Sequence, residues 1–596
     1  MTYRAPVADI AFTLNHIAGF SQLIERGLFE DLDMDTAMAI LEEAARFANE
    51  ELAPTNRASD EQGARLVNGE VIMPDGFGEA YGKWVAGGWG SVAVPREFGG
   101  QGLPFSLSMA LTEIWNSANM AYGLNPLLTQ AGVHAIIAHG SPELQRKYLP
   151  KLVTGEWTGS MQLTEPQAGS DLRFVRTRAV PAGDGSYKIS GTKIFITYGE
   201  HPMTENIIHM VLARLPDAPP GTKGLSLFLI PKYFVKDDGS LGARNDVTCA
   251  KLEHKLGIHG SPTAVLNYGD RGGATGWLVG APHNGLRAMF TMMIEARLGV
   301  GAQGVGIAER AFQQSLNYAR ERKQGTTESA DADKSVAIFE HPDVKRMLLT
   351  MKAKTDAARA ICYATSVAMD IAHHAPDQGE QRRAHAEAAL LTPVAKAYST
   401  DIGVEVASEG IQVHGGMGYI EETGAAQHYR DARIAPIYEG TNGIQAIDLV
   451  TRKLPSNGGE TVYGFIAGLR ETVRAIKAAN EPAFGQMSER LEASVAALED
   501  ATGWLLGQLP ENRNAALAGA TPFLRLFGIA CGGTYLAKGA LSALRRSDVH
   551  GTNPEAKVLE ARHFAESLMG ETEGLKHAVS RGHDTVSQAE AVLGSH

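Results

Sequence analysis

The sequence predicts an α+β protein in which helical regions lie on both sides of a central antiparallel β region. Between residues 158 and 280, short runs rich in β-branched and aromatic residues alternate with turn clusters such as Gly183-Asp-Gly-Ser, a pattern typical of strands joined by tight turns. Before and after this region, apolar residues recur every three to four positions, as they do in amphipathic helices. The chain has 596 residues, too many for a single core, so we expect several domains.

The first part of the chain is expected to hold an N-terminal arm over residues 1–34 and a helical domain over residues 35–157. Ser141-Pro-Glu-Leu places a capping hydroxyl before a proline, which predicts the start of a helix. The middle domain, residues 158–283, is predicted to be β. Its clearest strands are Tyr187-Lys-Ile-Ser, Ile207-Ile-His-Met-Val-Leu-Ala and Leu225-Ser-Leu-Phe-Leu-Ile.

The second part is expected to hold a helical bundle over residues 284–457 and a further helical domain over residues 458–596. Two long amphipathic patterns, Leu286 to Lys323 and His341 to His374, predict bundle helices. The stretch between them, residues 325–335, is a polar loop. Pro455-Ser-Asn-Gly-Gly is typical of a linker.

Composition excludes several classes of function. The net charge of −12 argues against nucleic-acid binding, and no apolar run approaches the length of a membrane-spanning helix. The N-terminus lacks the apolar core of a signal peptide. Cys249, Cys362 and Cys531 are widely spaced, so we expect reduced thiols in a cytoplasmic protein.

Two patterns that suggest ligand sites are interpreted as structural. Gly299-Val-Gly-Ala-Gln-Gly304 matches a dinucleotide fingerprint, but a helical pattern precedes it where a strand is required. We expect these small residues to allow close helix packing instead. His414 has no second ligand at a zinc-like spacing, and the adjacent His373 and His374 cannot face one site. No metal is therefore predicted.

Glu439 is the strongest candidate for a catalytic residue. It ends the apolar run Ile434-Ala-Pro-Ile-Tyr438, and Gly440 follows it. Apolar surroundings disfavour an ionised carboxylate and raise its pKa, which suits a general base. A helix cap or a surface acid in a turn is the alternative for a Glu in isolation.

Four ordered segments place Glu439 in a wider pattern. They are Thr164-Glu-Pro-Gln-Ala-Gly-Ser-Asp171, Lys255-Leu-Gly-Ile-His-Gly-Ser-Pro-Thr263, Gln412-Val-His-Gly-Gly-Met-Gly-Tyr419 and Tyr438-Glu-Gly-Thr-Asn-Gly-Ile-Gln445. Together they resemble the acyl-CoA dehydrogenase family over most of residues 47–454. The resemblance implies an N-terminal helical domain, a middle antiparallel β domain and a C-terminal four-helix bundle that carries the base, here followed by an additional helical domain.

The same resemblance implies an FAD site. Its expected contacts are Thr164, Gly169, Ser170, Phe195, Ile196, Thr197, Arg322, Gln412, Val413, His414, Gly415, Gly416, Thr441 and Asn442. Phe195 stands where the family has a tryptophan, and the family often has Phe-Gly where Gln324-Gly325 follows Arg322 here. The structural alternatives are a polar turn around residue 170, a solvated charge cluster at Arg322 and a glycine turn after His414.

Substrate contacts are expected from Ser170, Arg297, Tyr438 and Gly440. Some branches of the family carry the catalytic Glu immediately before this arginine, where the present chain has Ala296. Glu295 lies one residue earlier, about 100° around the helix, and should point elsewhere. Glu439 is therefore the preferred base.

The implied reaction is α,β-dehydrogenation of an acyl-CoA, with electrons passing to electron-transferring flavoprotein or a similar acceptor. The long branch of the family, which this chain resembles, acts on 3-methylmercaptopropionyl-CoA, linked to dimethylsulfoniopropionate degradation, or on fatty acyl-CoA of broad chain length. The segment at residues 412–419 reaches a neighbouring subunit's flavin in the family, which implies a homo-oligomer, at least a dimer. An acyl-CoA oxidase and a non-catalytic flavin-binding assembly protein are the alternatives.

Overall fold

The computed structural model describes residues 3–327, 334–545 and 551–594. Its helices are α1 (Val7–Phe12), α2 (Phe20–Glu25), α3 (Met34–Phe47), α4 (Thr55–Gln62), α5 (Phe77–Ala86), α6 (Phe105–Ala118), α7 (Met120–His139), α8 (Pro142–Thr154), α9 (Gly285–Glu321), α10 (Pro342–His374), α11 (Gln378–His414), α12 (Ala425–Ala432), α13 (Asn442–Asp448), α14 (Glu460–Ala479), α15 (Met487–Glu511), α16 (Arg513–Ala518), α17 (Ala520–Arg545), α18 (Pro554–Ser567), α19 (Glu571–Arg581), α20 (His583–Val586) and α21 (Glu590–Leu593).

Its strands are β1 (Arg65–Val67), β2 (Glu70–Ile72), β3 (Thr158–Gln162), β4 (Arg178–Pro181), β5 (Tyr187–Thr197), β6 (Ile207–Arg214), β7 (Leu225–Pro231), β8 (Tyr233–Val235), β9 (Leu241–Arg244), β10 (Val247–Leu252), β11 (Thr263–Tyr268) and β12 (Ala274–Val279). The chain forms two compact units. One contains Met1–Arg46, Phe105–Ser117 and Arg297–His596; the other contains Phe47–Pro104 and Ala118–Ala296.

The second of these units is built around the predicted β region. Its main sheet has the strand order β10-β11-β5-β12-β7-β6-β3, and β4 pairs with both β5 and β6. The neighbouring strands pair antiparallel, as predicted, except that β3 and β4 each run parallel to β6. The prediction of a purely antiparallel region was wrong at this edge, because the return path that brings β6 beside β3 depends on long-range packing. The hairpin β1–β2 was also missed within the helical region.

Local helix signals in this unit are confirmed. Ser141 caps α8 by accepting a hydrogen bond from the backbone N–H of Leu144, with Pro142 at the first helical position. Strands β6 and β7 are buried almost throughout. Their side chains join apolar residues of α7 and α8 in one core, which gives the sheet a rigid support.

The first unit is helical, and α9, α10 and α11 are its longest elements. The two predicted patterns over residues 286–323 and 341–374 are confirmed as α9 and α10. A Cβ at Gly304 would lie 2.3 Å from the carbonyl oxygen of Ser399, and one at Gly301 would lie 2.9 Å from that of Ala395. Both partners are on α11, so the glycine pattern serves close helix packing, as expected.

Residues 3–25, expected to form an arm, are instead folded into this unit. Ile10, Phe12 and Leu14 are almost fully buried. Asp9 forms ion pairs with Lys352 of α10 at 2.9 Å and with Lys557 of α18 at 2.6 Å. The Lys538 ammonium of α17 donates to the carbonyl of Ile17 at 2.7 Å. The segment therefore joins α10 to the additional C-terminal helices.

A buried charge cluster ties three helices of this unit together. The guanidinium of Arg359 on α10 is fully buried and bonds to Glu113 of α6 at 2.8 Å and to Glu309 of α9 at 2.9 Å. It also contacts Asp356 one turn earlier on α10. Tyr363 donates to Glu113 at 2.6 Å. Such a cluster is stable only while every member stays paired.

The cysteines and the polar loop between α9 and α10 were also described by the sequence analysis. All three cysteines are free and buried, as predicted. Residues 328–333 of the loop lie outside the described part of the chain. Its two ends are held by paired hydrogen bonds, from the N–H of Gln324 to the carbonyl of Val336 and from the N–H of Val336 to that of Gly325. Among the described residues, no helix combines the length and apolarity needed to cross a membrane.

Candidate active site

Glu439 lies in an irregular turn between α12 and α13. Its backbone is left-handed, with φ +55°, and so is that of Gly440, with φ +85°. Residues with a side chain rarely adopt this conformation, which costs free energy and persists only where the surroundings impose it. A hydrogen bond of 2.9 Å from the N–H of Asn442 to the carbonyl of Pro436 closes the turn.

The carboxylate of Glu439 is half-buried. In the described part of the chain it accepts no hydrogen bond, and the N–H of Glu439 has no acceptor. Burial raises the pKa of Glu439, whereas the charges of Arg297 and Lys396 lower it. An unpaired carboxylate with a raised pKa can take up a proton, which is the property expected of a general base.

Tyr438 is held by a chain of hydrogen bonds that starts at its hydroxyl. Its hydroxyl donates to Gln303 of α9, and the Gln303 amide donates to Asn116 of α6 at 3.1 Å. Asn116 in turn donates to the carbonyl of Thr112 at 2.8 Å. The residue beside Glu439 is therefore anchored to two helices. Gln303 and Asn116 were missed at the sequence level, where Gln303 stood inside the rejected glycine pattern.

Arg297 lies on α9 beside the same turn. It is buried and lies 3.9 Å from Asp448 of α13. Its Nε is buried and has no hydrogen-bond partner among the residues that the structure describes. Burial lowers the pKa of Arg297, while Asp448 and Glu439 oppose that shift. A buried guanidinium N–H without an acceptor is suited to bind an oxygen atom of a ligand.

Thr441 and Asn442 follow Glu439 but are occupied within the protein. Thr441 caps α13 by accepting a hydrogen bond from the N–H of Ile444 at 3.2 Å. The Asn442 amide donates to Asp401 at 2.8 Å and accepts from Lys396 at 2.8 Å. Both side chains hold the turn in place, and the cofactor contacts expected of Thr441 and Asn442 stay predictions.

Lys396 was also missed by sequence reasoning. Its side chain is fully buried on α11, within the run Leu391-Thr-Pro-Val-Ala-Lys-Ala-Tyr. A lysine in the middle of an apolar helical run is unusual, because a buried ammonium must be paired. That signal alone would have identified Lys396.

The unit that contains the sheet brings two predicted cofactor segments together. The N–H of Ile194 on β5 donates to the carbonyl of Thr164 at 3.0 Å. The buried Glu165 accepts from Lys193 of β5 at 2.8 Å, from Thr177 Oγ1 at 2.6 Å and from the N–H of Arg176 at 2.7 Å. Gly169 and Ser170 lie exposed beyond this anchor.

Phe195 is the most distinctive residue of these segments. Its side chain is 60% exposed, and its backbone is left-handed with φ +61°. Ile196 beside it is buried, and Thr197 is half-buried at the end of β5. An aromatic ring held open to solvent by a strained backbone next to a hydroxyl fits a planar ligand that stacks on the ring.

Tyr318 connects the end of α9, where Arg322 lies, to His414 of the segment at residues 412–416. Arg322 is exposed at the end of α9, and its N–H donates to the carbonyl of Tyr318 at 2.8 Å. The Tyr318 ring stacks on His414 with centroids 4.4 Å apart. His414 Nδ1 lies 2.6 Å from the carbonyl of Gly410. Val413 is buried, whereas Gln412, Gly415 and Gly416 are exposed.

Glu295, the acidic residue beside Ala296 and Arg297, has a partner of its own. Glu295 is paired with His134 on α7, and Ala296 is fully buried. Burial disfavours the cation of His134, but Glu295 raises its pKa. No cluster of potential metal ligands occurs among residues 3–327, 334–545 and 551–594.

Four family models match successive regions of the chain, which together span most of its length. These are acyl-CoA dehydrogenase N-terminal domain at residues 34–156, middle domain at residues 160–270, C-terminal domain at residues 283–454, and acetyl-CoA dehydrogenase C-terminal like at residues 465–590. The chain therefore belongs to the acyl-CoA dehydrogenase family, which confirms the family and the fold class predicted from the sequence.

Among its relatives is the 3-methylmercaptopropionyl-CoA dehydrogenase of Ruegeria pomeroyi, 47% identical over 96% of this chain and 97% of the relative. The broad-specificity linear acyl-CoA dehydrogenase FadE5 of Mycobacterium tuberculosis is 35% identical over 79% of this chain and 78% of the relative. The structure of Caenorhabditis elegans ACDH-11 in complex with C11-CoA shares the fold, with a TM-score of 0.78 and 19% identity over 95% of this chain and 92% of that one.

Proposed function

We propose that this enzyme dehydrogenates an acyl-CoA thioester between its α and β carbons, and that Glu439 removes the α proton. The unpaired, half-buried carboxylate of Glu439 carries this proposal, because its raised pKa suits proton abstraction. Arg297 and Tyr438 flank the carboxylate and are proposed to line the acyl path, as is Gly440.

The residues of this chain fit FAD as the cofactor. Exposed Phe195, with Ile196 and Thr197 beside it, offers a ring and a hydroxyl for a flavin. Thr164, Gly169 and Ser170 form the adjoining loop. Arg322 and residues 412–416 are proposed to contact the dinucleotide, Arg322 through bidentate bonds to phosphate oxygens. When bound, FAD accepts the hydride that leaves the β carbon.

The α proton of a thioester is too weakly acidic for a carboxylate acting alone. The carbonyl oxygen must be stabilised as negative charge develops on it. The N–H of Glu439 is free of an internal acceptor within the described residues, so it can donate to that oxygen while the carboxylate of the same residue takes the proton. Both groups belong to a residue whose backbone conformation is left-handed.

The proposed substrate is 3-methylmercaptopropionyl-CoA, with methylthioacryloyl-CoA as product. It is supported by the near full-length similarity to the Ruegeria pomeroyi dehydrogenase. Fatty acyl-CoA of broad chain length is the second candidate, supported by the similarity to FadE5. Electron-transferring flavoprotein is the proposed acceptor. A homodimer and a cytoplasmic location remain predictions. The side chain of Tyr419, next to residues 412–416, is 86% exposed, and a large exposed aromatic ring supports the proposal of a subunit contact there.

Anaerobic flavin reduction tests the substrate. The purified protein is mixed separately with 3-methylmercaptopropionyl-CoA, butyryl-CoA and palmitoyl-CoA, and the loss of flavin absorbance is followed. We expect fastest bleaching with the sulfur thioester. Fastest bleaching with palmitoyl-CoA would assign the enzyme to fatty-acid oxidation. Rapid peroxide formation in air would favour an oxidase over a dehydrogenase.

Glu439→Gln tests the base. The amide matches the carboxylate in shape but cannot accept the proton, so we expect turnover to fall by about 10²- to 10⁴-fold or more, with flavin retained. Glu295→Gln is the matched control, because Glu295 is an acidic residue close to Arg297 in sequence but is paired with His134. Loss of turnover in Glu295→Gln with normal turnover in Glu439→Gln would reverse the assignment.

A further inference from the structure

Lys396 is a fully buried lysine, and its ammonium bonds to the turn that carries Glu439 and to the residue that begins α13. Its Nζ donates to the carbonyl of Gly440 at 2.9 Å and to the Oδ1 of Asn442 at 2.8 Å. Placing an ammonium in a helix interior is costly unless its N–H groups are satisfied. Both of these acceptors lie within three residues of Glu439.

These bonds act on a strained piece of backbone. Glu439 and Gly440 are consecutive left-handed residues, a conformation that a residue such as Glu does not keep unless it is held. Gln445 donates to the carbonyls of both residues, each at 3.3 Å. Lys396 makes the shorter bond to the same Gly440 carbonyl and fixes it from α11.

Asn442 extends this support. Its amide nitrogen donates to Asp401 at 2.8 Å and to the carbonyl of Ala397 at 3.1 Å. Lys396 and Asp401, little more than one turn apart on α11, therefore bind opposite ends of one amide. This fixes where α13 begins relative to Glu439.

Lys396 also acts through its charge. Burial raises the pKa of Glu439, and the positive charges of Arg297 and Lys396 oppose this effect. Burial lowers the pKa of Lys396 to about 7, and Glu439 and Asp401 oppose that shift. The titratable and charged groups facing this pair are Arg297 of α9, Asp401 of α11, Tyr438 of the turn, Asp448 of α13 and Arg452 one turn beyond it.

We propose that Lys396 is a positioning residue for the base: it holds the left-handed turn that carries Glu439 and supplies positive charge that favours the ionised carboxylate. This inference rests on the proposed role of Glu439 as the base. It assigns Lys396 two effects, hydrogen bonding to the turn and positive charge, and a neutral side chain that keeps an N–H donor loses the second of them entirely.

Two substitutions separate these effects. Lys396→Met removes the charge and the hydrogen bonds, whereas Lys396→Gln removes the charge and keeps an N–H donor. Lys538→Met is the matched control. Lys538 also lies on a helix and donates to a backbone carbonyl, that of Ile17, but its charge is not among those that act on Glu439.

The readout is the pH dependence of kcat/KM and of the rate of anaerobic flavin reduction by 3-methylmercaptopropionyl-CoA. Removing a nearby positive charge raises the pKa of a carboxylate, so both Lys396 variants should move the acid limb upward by about one pH unit. Lys396→Met should also lower the limiting rate at high pH more than Lys396→Gln does. Lys538→Met should leave the acid limb where it is in the wild type.

An acid limb that stays fixed in Lys396→Gln would overturn the proposal, whatever happens to the rate, because removing a charge that favours the ionised carboxylate must move its pKa. Lys396→Gln carries the test if Lys396→Met does not fold. Glu439→Gln, measured alongside, distinguishes failure of the inference on Lys396 from failure of the base assignment. If it is inactive and the limb of Lys396→Gln is fixed, only the inference on Lys396 fails. If Glu439→Gln turns over normally, the base assignment itself fails.

Discussion

Gly304 offers a direct test of how closely α9 and α11 are packed beside the site. A Cβ at this position would lie 2.3 Å from the carbonyl oxygen of Ser399, 2.5 Å from its carbonyl carbon and 2.7 Å from the backbone nitrogen of Thr400. Favourable contacts between heavy atoms require about 3.5–4.0 Å. The two helices would have to separate by about 1 Å, because all three of these atoms belong to backbone.

The expected magnitude for Gly304→Ala is a difference between two effects. Alanine favours a helix over glycine by about 1 kcal/mol. Overpacking costs about 1–3 kcal/mol, and we expect the upper end because backbone cannot turn away as a side chain can. The free energy of unfolding should therefore fall by about 2 kcal/mol. Thr400 bonds to Asn442, so turnover should fall as well.

Urea unfolding followed by far-ultraviolet circular dichroism measures this change, with Gly468→Ala as the matched control. Gly468 is also inside a helix, α14, but a Cβ there would meet nothing within 4 Å. That variant should be as stable as the wild type or up to about 1 kcal/mol more stable. Equal or greater stability in Gly304→Ala would refute the packing argument.

Two further predictions concern buried charge in the helical unit. Arg359→Met leaves Glu113, Glu309 and Asp356 without their shared cation, so the free energy of unfolding should fall by about 3–5 kcal/mol; a loss below about 1 kcal/mol would contradict the paired cluster. Asp370 accepts from the N–H groups of Phe105 and Ser106, and burial raises its pKa to about 6. Between its ordinary value near 3.8 and 6, the folded protein binds a proton that the unfolded chain has released, so this residue makes stability fall as pH rises. Asp370→Asn should remove that part of the slope in unfolding titrations from pH 4 to 7, and an unchanged slope would count against it.

The order of helical and β regions could be predicted because it depends on local periodicity. The bounds of α9 and α10 follow from apolar spacing, and the cap at Ser141 follows from its neighbours. The parallel pairing of β3 with β6 could not be predicted, because strand direction depends on the path of the chain between them. Nor could the folding of residues 3–25 onto α10, since their partners are distant in sequence.

The same distinction separates the site residues. Glu439 and Phe195 each lie in a motif that is continuous in sequence, so both could be identified. Their left-handed backbone could not be predicted, although Gly440 indicated a turn next to Glu439. Lys396, Gln303 and Asn116 support the site from other helices. Their roles arise from hydrogen bonds across the fold, and no spacing rule connects them to Glu439.

The ion pairs of Asp9 and the bond from Lys538 to Ile17 have a consequence for synthesis on the ribosome. Lys538 follows Ile17 by 521 residues. Translation proceeds at about 5–20 residues per second. The apolar side chains of Ile10, Phe12 and Ile17 are therefore synthesised tens of seconds before α17, which helps to bury them. During that time they form an exposed hydrophobic segment that chaperones can bind. Closure of this unit is therefore among the last events of folding, and a stalled or truncated translation product would display that segment.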